Sequence, residues 1–423
     1  MLPRPHAPSS PNRDDINTQK HPQPLIIVAL NARPLAAIAR IAHYQPYAID
    51  AFGDHDLETH RHAYLPLHKS TAPTLNAWHN ALDAIDPNRT TPIIYGSGLE
   101  RCPHLLNAIH QRPLYGNPPH ILSHTTNPQR FFATLDQLAI PYPPISFARP
   151  PPNTKRPWLC KHAASSGGTG ITYLSHHTTH TQDTYYQHAM SDTHHIGLSF
   201  LANGTACVPL GFSRQRHTHH ITHHPRYPLR LDIIDTQPPP TETLAHHVIT
   251  YATQLTKTLT LRGINSIDVL YAKKYHAPFV LELNPRPGIA LDLFATEHGS
   301  DLLRWHCQQC QNNPSPLPSL PAIHTLMPQG LKILYAPQTI PSTPHPHILQ
   351  SHINRYATGH VILKDMPKTG TTIKKDAPFC TIHAQGKTIE DVHIMLASTE
   401  KNLYGALARG RVKGRGRHTQ RKH

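Results

Sequence analysis

The stretch that most constrains this chain is residues 261–291, LRGINSIDVLYAKKYHAPFVLELNPRPGIAL. It holds two apolar runs that alternate with a period of two, GINSIDVLY and PFVLELNP, joined by the polar segment 273–277. That pattern predicts a β-hairpin. In the second run Phe279, Leu281 and Leu283 fall on one face of an ideal strand, and Val280, Glu282 and Asn284 on the other. Closing the hairpin with Tyr271 opposite Phe279 sets Asp268 opposite Glu282, so two carboxylates and an amide converge on an open face. Such oxygen donors suit Mg²⁺, which takes hard ligands and leaves most of its octahedron to water and phosphates. Asp268, Glu282 and Asn284 are therefore the candidate metal ligands, and Arg286, two residues on, adds a cation able to follow a phosphate. The plain alternative is a hairpin edge bearing solvated charges. The spacing E-x-N-x-R favours a site.

With 423 residues the chain is long enough for about three domains and a sizeable core. Only 15% of residues are charged and 38% are apolar in well-patterned runs, which predicts globular structure despite 44 Pro and 38 His. The formal charge of +15 permits attraction to polyanions without choosing one. Much of it is local: seven Lys and Arg fall within 409–422, separated by Gly, which reads as a solvated basic tail over 401–423. Lacking interleaved aromatics, such a tail supports only unspecific binding to nucleic acid. The six cysteines follow no disulfide framework, which predicts a reducing compartment. Cys307 and Cys310 form a lone C-x-x-C beside His306, without the second ligand pair a zinc site needs. No secretory h-region or long apolar span is visible, so a cytoplasmic protein without membrane contact is expected.

Along the chain, residues 1–24 read as a disordered tail. Strands at 25–30, 47–52 and 92–95 then alternate with helical patterns at 32–42 and 99–109, which predicts a parallel α/β domain over 25–120. Ligands of such sheets gather at the carboxyl ends of strands, where Asp50, Asp54, Asp56, Gly96, Ser97 and Glu100 stand. After a helix at 127–138, the strand 157–160 delivers Lys161, and Gly167, Gly168, Thr169 and Gly170 follow before another strand. A lysine followed by a glycine loop fits a phosphate, although a hairpin turn with an incidental lysine reads equally well in isolation. Strands at 185–190 and 197–202 lead through the turn Asn203-Gly204 into another strand. The His-rich segment 217–224 reflects composition, since β-branched neighbours and a following Pro oppose the helix that metal chelation would need. A helix at 242–258 enters the opening hairpin and one at 291–307 leaves it. A linker at 312–328 precedes short strands at 331–335, 359–363, 371–373 and 379–382, a small β domain over 329–400.

Taken together, Lys161 with the GGTG loop, Tyr186-Gln187 in a strand, and then Asp268, Glu282, Asn284 and Arg286 resemble the ATP-grasp superfamily over about 121–311. The resemblance implies an α/β and α+β fold: an N-terminal α/β domain, an ATP-grasp domain over 121–311 and the small C-terminal β domain. It implies ATP with Mg²⁺, or Mn²⁺, as cofactors. Lys161, Gly167, Gly168 and Gly170 would then lie on the phosphates and Gln187 and His188 at the adenine. Asp268, Glu282 and Asn284 would hold the metal, and Arg286 with Lys161 would act on the transferred phosphoryl group. The implied activity is a carboxylate–amine ligase for small molecules, working through an acyl phosphate. The phrases AIDAFGDHD, IIYGSGLE, GINSIDVLY, LELNPRPGIALDLF and KDMPKTGTTIKKDAPFCTIHA look like ATP-grasp proteins associated with tetrahydromethanopterin- and methanofuran-linked one-carbon metabolism, which implies addition of an amino acid such as glutamate. A biotin-carboxylase-like enzyme and a nucleic-acid binder with a degenerate ATP site are the competing readings. The chain departs from the family at Ser266, where an arginine is common, and at Pro128, where many members have a lysine; Arg130 stands nearby.

Overall fold

The computed structural model describes residues 22–65, 73–109, 112–151, 157–163, 168, 170–175, 178, 180–217, 231–320, 326–357 and 359–408. Its first part is a parallel sheet of β1 (Gln23–Val28), β2 (Tyr44–Asp50), β3 (Arg61–Tyr64) and β4 (Ile93–Tyr95), in the order β3-β2-β1-β4. The unbroken apolar run of β1 follows from burial on both faces. Leu25 and Ile27 enter one core cluster, Ile26 and Val28 another, and none of the four is exposed. Helices α1 (Arg33–Ile41), α2 (Leu75–Ile85) and α3 (Pro103–Asn107) belong to this part; α2 was not foreseen, and the strand begins two residues before the expected one.

Helices α4 (Pro119–Thr126) and α5 (Pro128–Gln137) lead into an antiparallel sheet of β5 (Ile145–Ser146), β6 (Trp158–His162), β7 (Ile171–Tyr173) and β8 (Thr184–His188). The Asn127 side chain caps α5 by accepting from Arg130 N at 3.0 Å. The third and largest sheet comprises β9 (Thr193–Asn203), β10 (Cys207–His217), β11 (Leu231–Asp235), β12 (Arg262–Ala272), β13 (Ala277–Asn284), β14 (Gln329–Tyr335), β15 (His360–Lys364) and β16 (Pro378–Gln385), in the order β13-β12-β9-β10-β11-β14-β16-β15. One face of β9, β12 and β13 packs on α5 and α6 (Glu242–Leu259), sharing a core of Phe131, Leu135, Phe200, Val248, Leu255, Ile267 and Val280.

The C-terminal strands β14, β15 and β16 continue the central sheet through the pairing of β14 with β11, and α9 (Pro346–Asn354) and α10 (Ile389–Ala408) cover them. The end of α10 occupies the first eight residues of the stretch assigned to the basic tail; residues 409–423 lie outside the described ones. The expected helix at 291–307 is two helices, α7 (Leu291–His298) and α8 (Asp301–Gln309). They break at Gly299, whose φ of +52° is costly for any residue with a Cβ. The first and last parts are tied through α7. Arg33 donates to Asp292 at 3.0 Å and to Asp365 at 2.7 Å, and Lys364 reaches Asp292 at 3.0 Å. Burial works against the Asp292 charge, but Arg33 and Lys364 outweigh it and hold its carboxyl well below the usual range. No helix among the described residues is long and apolar enough to cross a membrane.

His306, next to the C-x-x-C, is 1% exposed and fully committed: its Nδ1 accepts from Ile264 N at 2.9 Å and its Nε2 donates to Tyr115 O at 3.0 Å. This neutral ring is a structural clamp, and Cys307 and Cys310 are free thiols. Burial lowers its pKa from 6.5 to about 4. Between those values the unfolded chain binds a proton that the folded chain refuses, so stability falls as pH drops through this window. The expected loss is about 3 kcal/mol by pH 4. Denaturant unfolding at stepped pH measures it, and His306→Gln should flatten the slope between pH 6.5 and 4.

Candidate active site

The predicted hairpin forms, with one difference. Asp268 does lie opposite Glu282, but Leu270, not Tyr271, lies opposite Phe279. A bulge at Leu281 takes up the offset, because the pairing shifts between Asp268 and Val269. The extra residue also corrects the expected faces. Val280 and Leu283 both enter the core, at 0% and 3% exposure, while Leu281, Glu282 and Asn284 line a cavity of about 1150 Å³. The bulge thus turns the adjacent Leu281 and Glu282, and Asn284 after them, toward one space.

Within that space the carboxylates of Asp268 and Glu282 are bridged by one amide: Asn284 Nδ2 donates to Asp268 Oδ2 at 3.2 Å and to Glu282 Oε1 at 3.1 Å. Gln215 Nε2 donates to Asp268 Oδ1 at 2.7 Å. Burial, and after it the charge of Glu282, push the Asp268 pKa well above the carboxylate range. Two carboxylates sharing a site in this way call for a cation. Gly197, paired with Asp268 across β9 and β12, leaves room for its side chain, since a Cβ there would meet Ser213 Oγ at 2.8 Å and Asp268 Oδ1 at 3.0 Å. Among the described residues no three His, Cys, Asp or Glu group as a self-sufficient metal site. Two carboxylates and an amide instead fit Mg²⁺, which keeps several positions for water and phosphate. Turning the Asn284 amide about its last bond would present oxygen in place of nitrogen.

Arg286 is 7% exposed and held by the N-terminal part: its Nη2 donates to Glu100 Oε1 at 2.7 Å and to Asn284 Oδ1 at 3.1 Å. Glu100 Oε2 in turn accepts from Gly98 N at 2.7 Å. Burial would raise the Glu100 pKa, but the Arg286 guanidinium and the backbone donors prevail and lower it. Of the other residues expected at strand ends, Asp54 and Ser97 reach the cavity. Asp50 is consumed by Gly53 N and His62, Asp56 accepts from the backbone N–H groups of Asp365 and Met366, and Gly96 packs on Ala29 and Leu35.

Opposite the acids, β6 and β8 present Lys161 and Gln187 to the same cavity. Lys161 is 8% exposed, and its Nζ donates to Gln187 Oε1 at 3.2 Å, with no carboxylate partner among the described residues. The Gln187 Nε2 is buried with no hydrogen-bond partner among the described residues. A buried ammonium and an orphan N–H in one cavity fit an anionic, hydrogen-bonding ligand such as a nucleotide. His188 packs against Trp158, ring centroids 3.9 Å apart, and lines the cavity with Gly168. Gly170 precedes β7; Gly167 lies outside the described residues, as do all of the His-rich segment except His217. Sequence reasoning missed Gln215 and Ser213. The alternation of Gly211, Ser213 and Gln215 after the Asn203-Gly204 turn was the available signal.

Residues 127–289 match the family model of the ATP-grasp domain. No curated protein matches the chain. Three of the solved structures that share its fold illustrate the likeness. The biotin carboxylase domain of the Hydrogenobacter thermophilus 2-oxoglutarate carboxylase, in complex with MgADP, ADP and bicarbonate, is 12% identical with a TM-score of 0.66, over 88% of this chain and 89% of that one. An L-amino acid ligase from Bacillus licheniformis is 13% identical with a TM-score of 0.63, over 91% and 98%. Pyruvate carboxylase from Rhizobium etli is 13% identical with a TM-score of 0.65; the match takes in 89% of this chain and only 37% of that longer one. With the parallel N-terminal sheet, the antiparallel central sheets and the mixed C-terminal part, the chain has the three-part ATP-grasp architecture, and residues 127–289 carry the match to the ATP-grasp domain.

Proposed function

We propose that this protein is an ATP- and Mg²⁺-dependent ligase that joins a carboxylate to an amine through an acyl phosphate. The observation that supports this most is the convergence on one cavity of Lys161 and Gln187 from one sheet and Asp268, Glu282, Asn284 and Arg286 from another. Bound Mg²⁺ would supply charge neutralisation along the phosphate chain. Asp268, Glu282 and Asn284 would hold that ion, and Lys161, with Gly168 and Gly170 nearby, would lie on the phosphates. Gln187 and His188 face the base. Arg286, fixed by Glu100, stabilises the negative charge of the phosphoryl group as the substrate carboxylate takes it up and ADP departs. The amine nitrogen then attacks the acyl carbon, inorganic phosphate leaves, and the nitrogen loses a proton.

Addition of an amino acid such as glutamate, in the making of a one-carbon cofactor, rests on the resemblance of the quoted phrases. A carboxylating enzyme is the second reading, favoured by the likeness to a biotin carboxylase domain crystallised with bicarbonate. Incubating the protein with Mg-ATP, a panel of carboxylates and amines, and bicarbonate, followed by mass spectrometry, separates the two. ADP release that needs a carboxylate and an amine, with an amide product, is the expected result. ADP release that needs bicarbonate would transfer the assignment to the carboxylase reading, and no turnover with any combination would remove both.

A further inference from the structure

Beyond the metal ligands, the floor of the cavity is a row of hydroxyls. Ser266 of β12 lies directly opposite Ser199 of β9, Ser199 opposite Gly211 of β10, and Ser213 opposite Gly197. Strand alternation explains the row: Leu198, Phe200, Phe212 and Ile267 turn to the core, so the intervening serines turn to the cavity. Ser199 is 6% and Ser213 2% exposed, yet none of the three hydroxyls has a hydrogen-bond partner among the described residues. Each hydroxyl keeps a face on the cavity and is free to bond what enters it, water or the polar groups of a ligand.

The geometry beside them points to which part of a ligand goes where. A Cβ at Gly288 would stand 3.7 Å from Arg286 Nη1 and 3.8 Å from Ser266 Oγ, its nearest contacts among the described residues beyond its chain neighbours. The absence of a side chain at Gly288 thus leaves the Arg286 guanidinium and the Ser266 hydroxyl uncovered beside one another, open to the oxygens of a carboxylate. At the other end Phe294 lies against Gly211 and closes the row.

Building on the ligase reading, we propose that this row is the seat of the acyl substrate, and that it selects a polar carboxylate bearing hydroxyl or amino groups. The carboxylate sits on Arg286 and Ser266, and the polar chain runs over Ser199 and Ser213. An alkyl or aryl chain in the same place would leave buried hydroxyls unpaired, a penalty of about tenfold in binding for each. Ser266 is a specificity residue for the same reason: a larger side chain would fill the space beside Gly288.

Hydroxylamine serves as a stand-in amine for the test, because it converts an acyl phosphate into a hydroxamate with release of inorganic phosphate. With Mg-ATP present, kcat/KM for hydroxamate formation is measured for size-matched pairs, glycerate against butyrate and glutamate against glutarate. The polar member of at least one pair is expected to lead by about tenfold or more. The double variant Ser199→Ala with Ser213→Ala should bring that ratio close to one while KM for ATP stays as it was. Equal values for polar and apolar members in the unaltered protein would overturn the proposal while leaving the ligase intact. So would a rise in KM for ATP in place of carboxylate KM, which would give the hydroxyls to the nucleotide. Absence of hydroxamate with every carboxylate, in protein that still binds Mg-ATP, would remove the ligase reading and the seat with it. The comparison within the unaltered protein holds even where the double variant fails to fold.

Discussion

Glu282→Ala is expected to reduce ATP turnover by roughly two to three orders of magnitude, and Asp268→Asn by a similar factor. Each removes half of the carboxylate pair proposed to hold the ion. The Asn variant keeps an oxygen that can accept from Gln215, so its effect isolates charge from shape. Stability should move the other way. In the metal-free protein Asp268 is buried against a like charge, with its pKa driven upward, so the ionised form weakens the fold at neutral pH. Neutralising it should leave the melting temperature unchanged or higher. Steady-state ADP release together with thermal melting in the absence of metal checks both halves. Lower activity with a lower melting temperature would mean that the acids are structural.

Arg286→Ala is the second large effect. It should lower carboxylate-dependent turnover by about 10²–10³-fold, the scale seen when one preorganised charge donor is lost, while Mg-ATP affinity stays within a few fold. It also strands Glu100, buried and paired to Arg286 at 2.7 Å, and breaking such a pair costs about 3–5 kcal/mol of stability. Arg286→Met combined with Glu100→Gln removes both charges and should recover most of that stability without recovering activity. Its acid limb should differ too. The Glu100 pKa is lowered on folding, so its contribution is present above the unfolded pKa and fades as pH falls through the folded value. In the double variant this fading is absent. Chemical denaturation and single-turnover kinetics on the same preparations separate the two roles. If activity returns with stability, Arg286 is a strut.

The acid cluster was legible because strand alternation is local: Asp268, Glu282 and Asn284 needed only a period of two and a short turn to meet. Even there the inferred register was one residue off in the outer half of the hairpin. A bulge at Leu281 is invisible in the sequence, since VLEL reads as regular alternation. Residues joined across parts could not be read at all. Glu100 and Arg286 are 186 positions apart, and nothing near either one announces the other. Arg33, Asp292 and Asp365 likewise meet only once the first sheet, α7 and the last strands are assembled. The C-terminal strands were found, but their junction with the central sheet was not, because the pairing of β11 with β14 closes over a long intervening segment that sequence periodicity does not record. The serine row lay in plain view as alternation in LSFL, LGFSRQ and INSID, yet only the register across three strands makes it a surface.

The most direct measurement of the central claim follows oxygen. The carboxylate that best stimulates ADP release is prepared with heavy oxygen in its carboxyl group, turned over with Mg-ATP and an amine, and the phosphate is analysed by mass. Passage through an acyl phosphate predicts one heavy oxygen in each inorganic phosphate formed with amide. Phosphate without label would mean that water, not the carboxylate, receives the phosphoryl group, and would contradict the account.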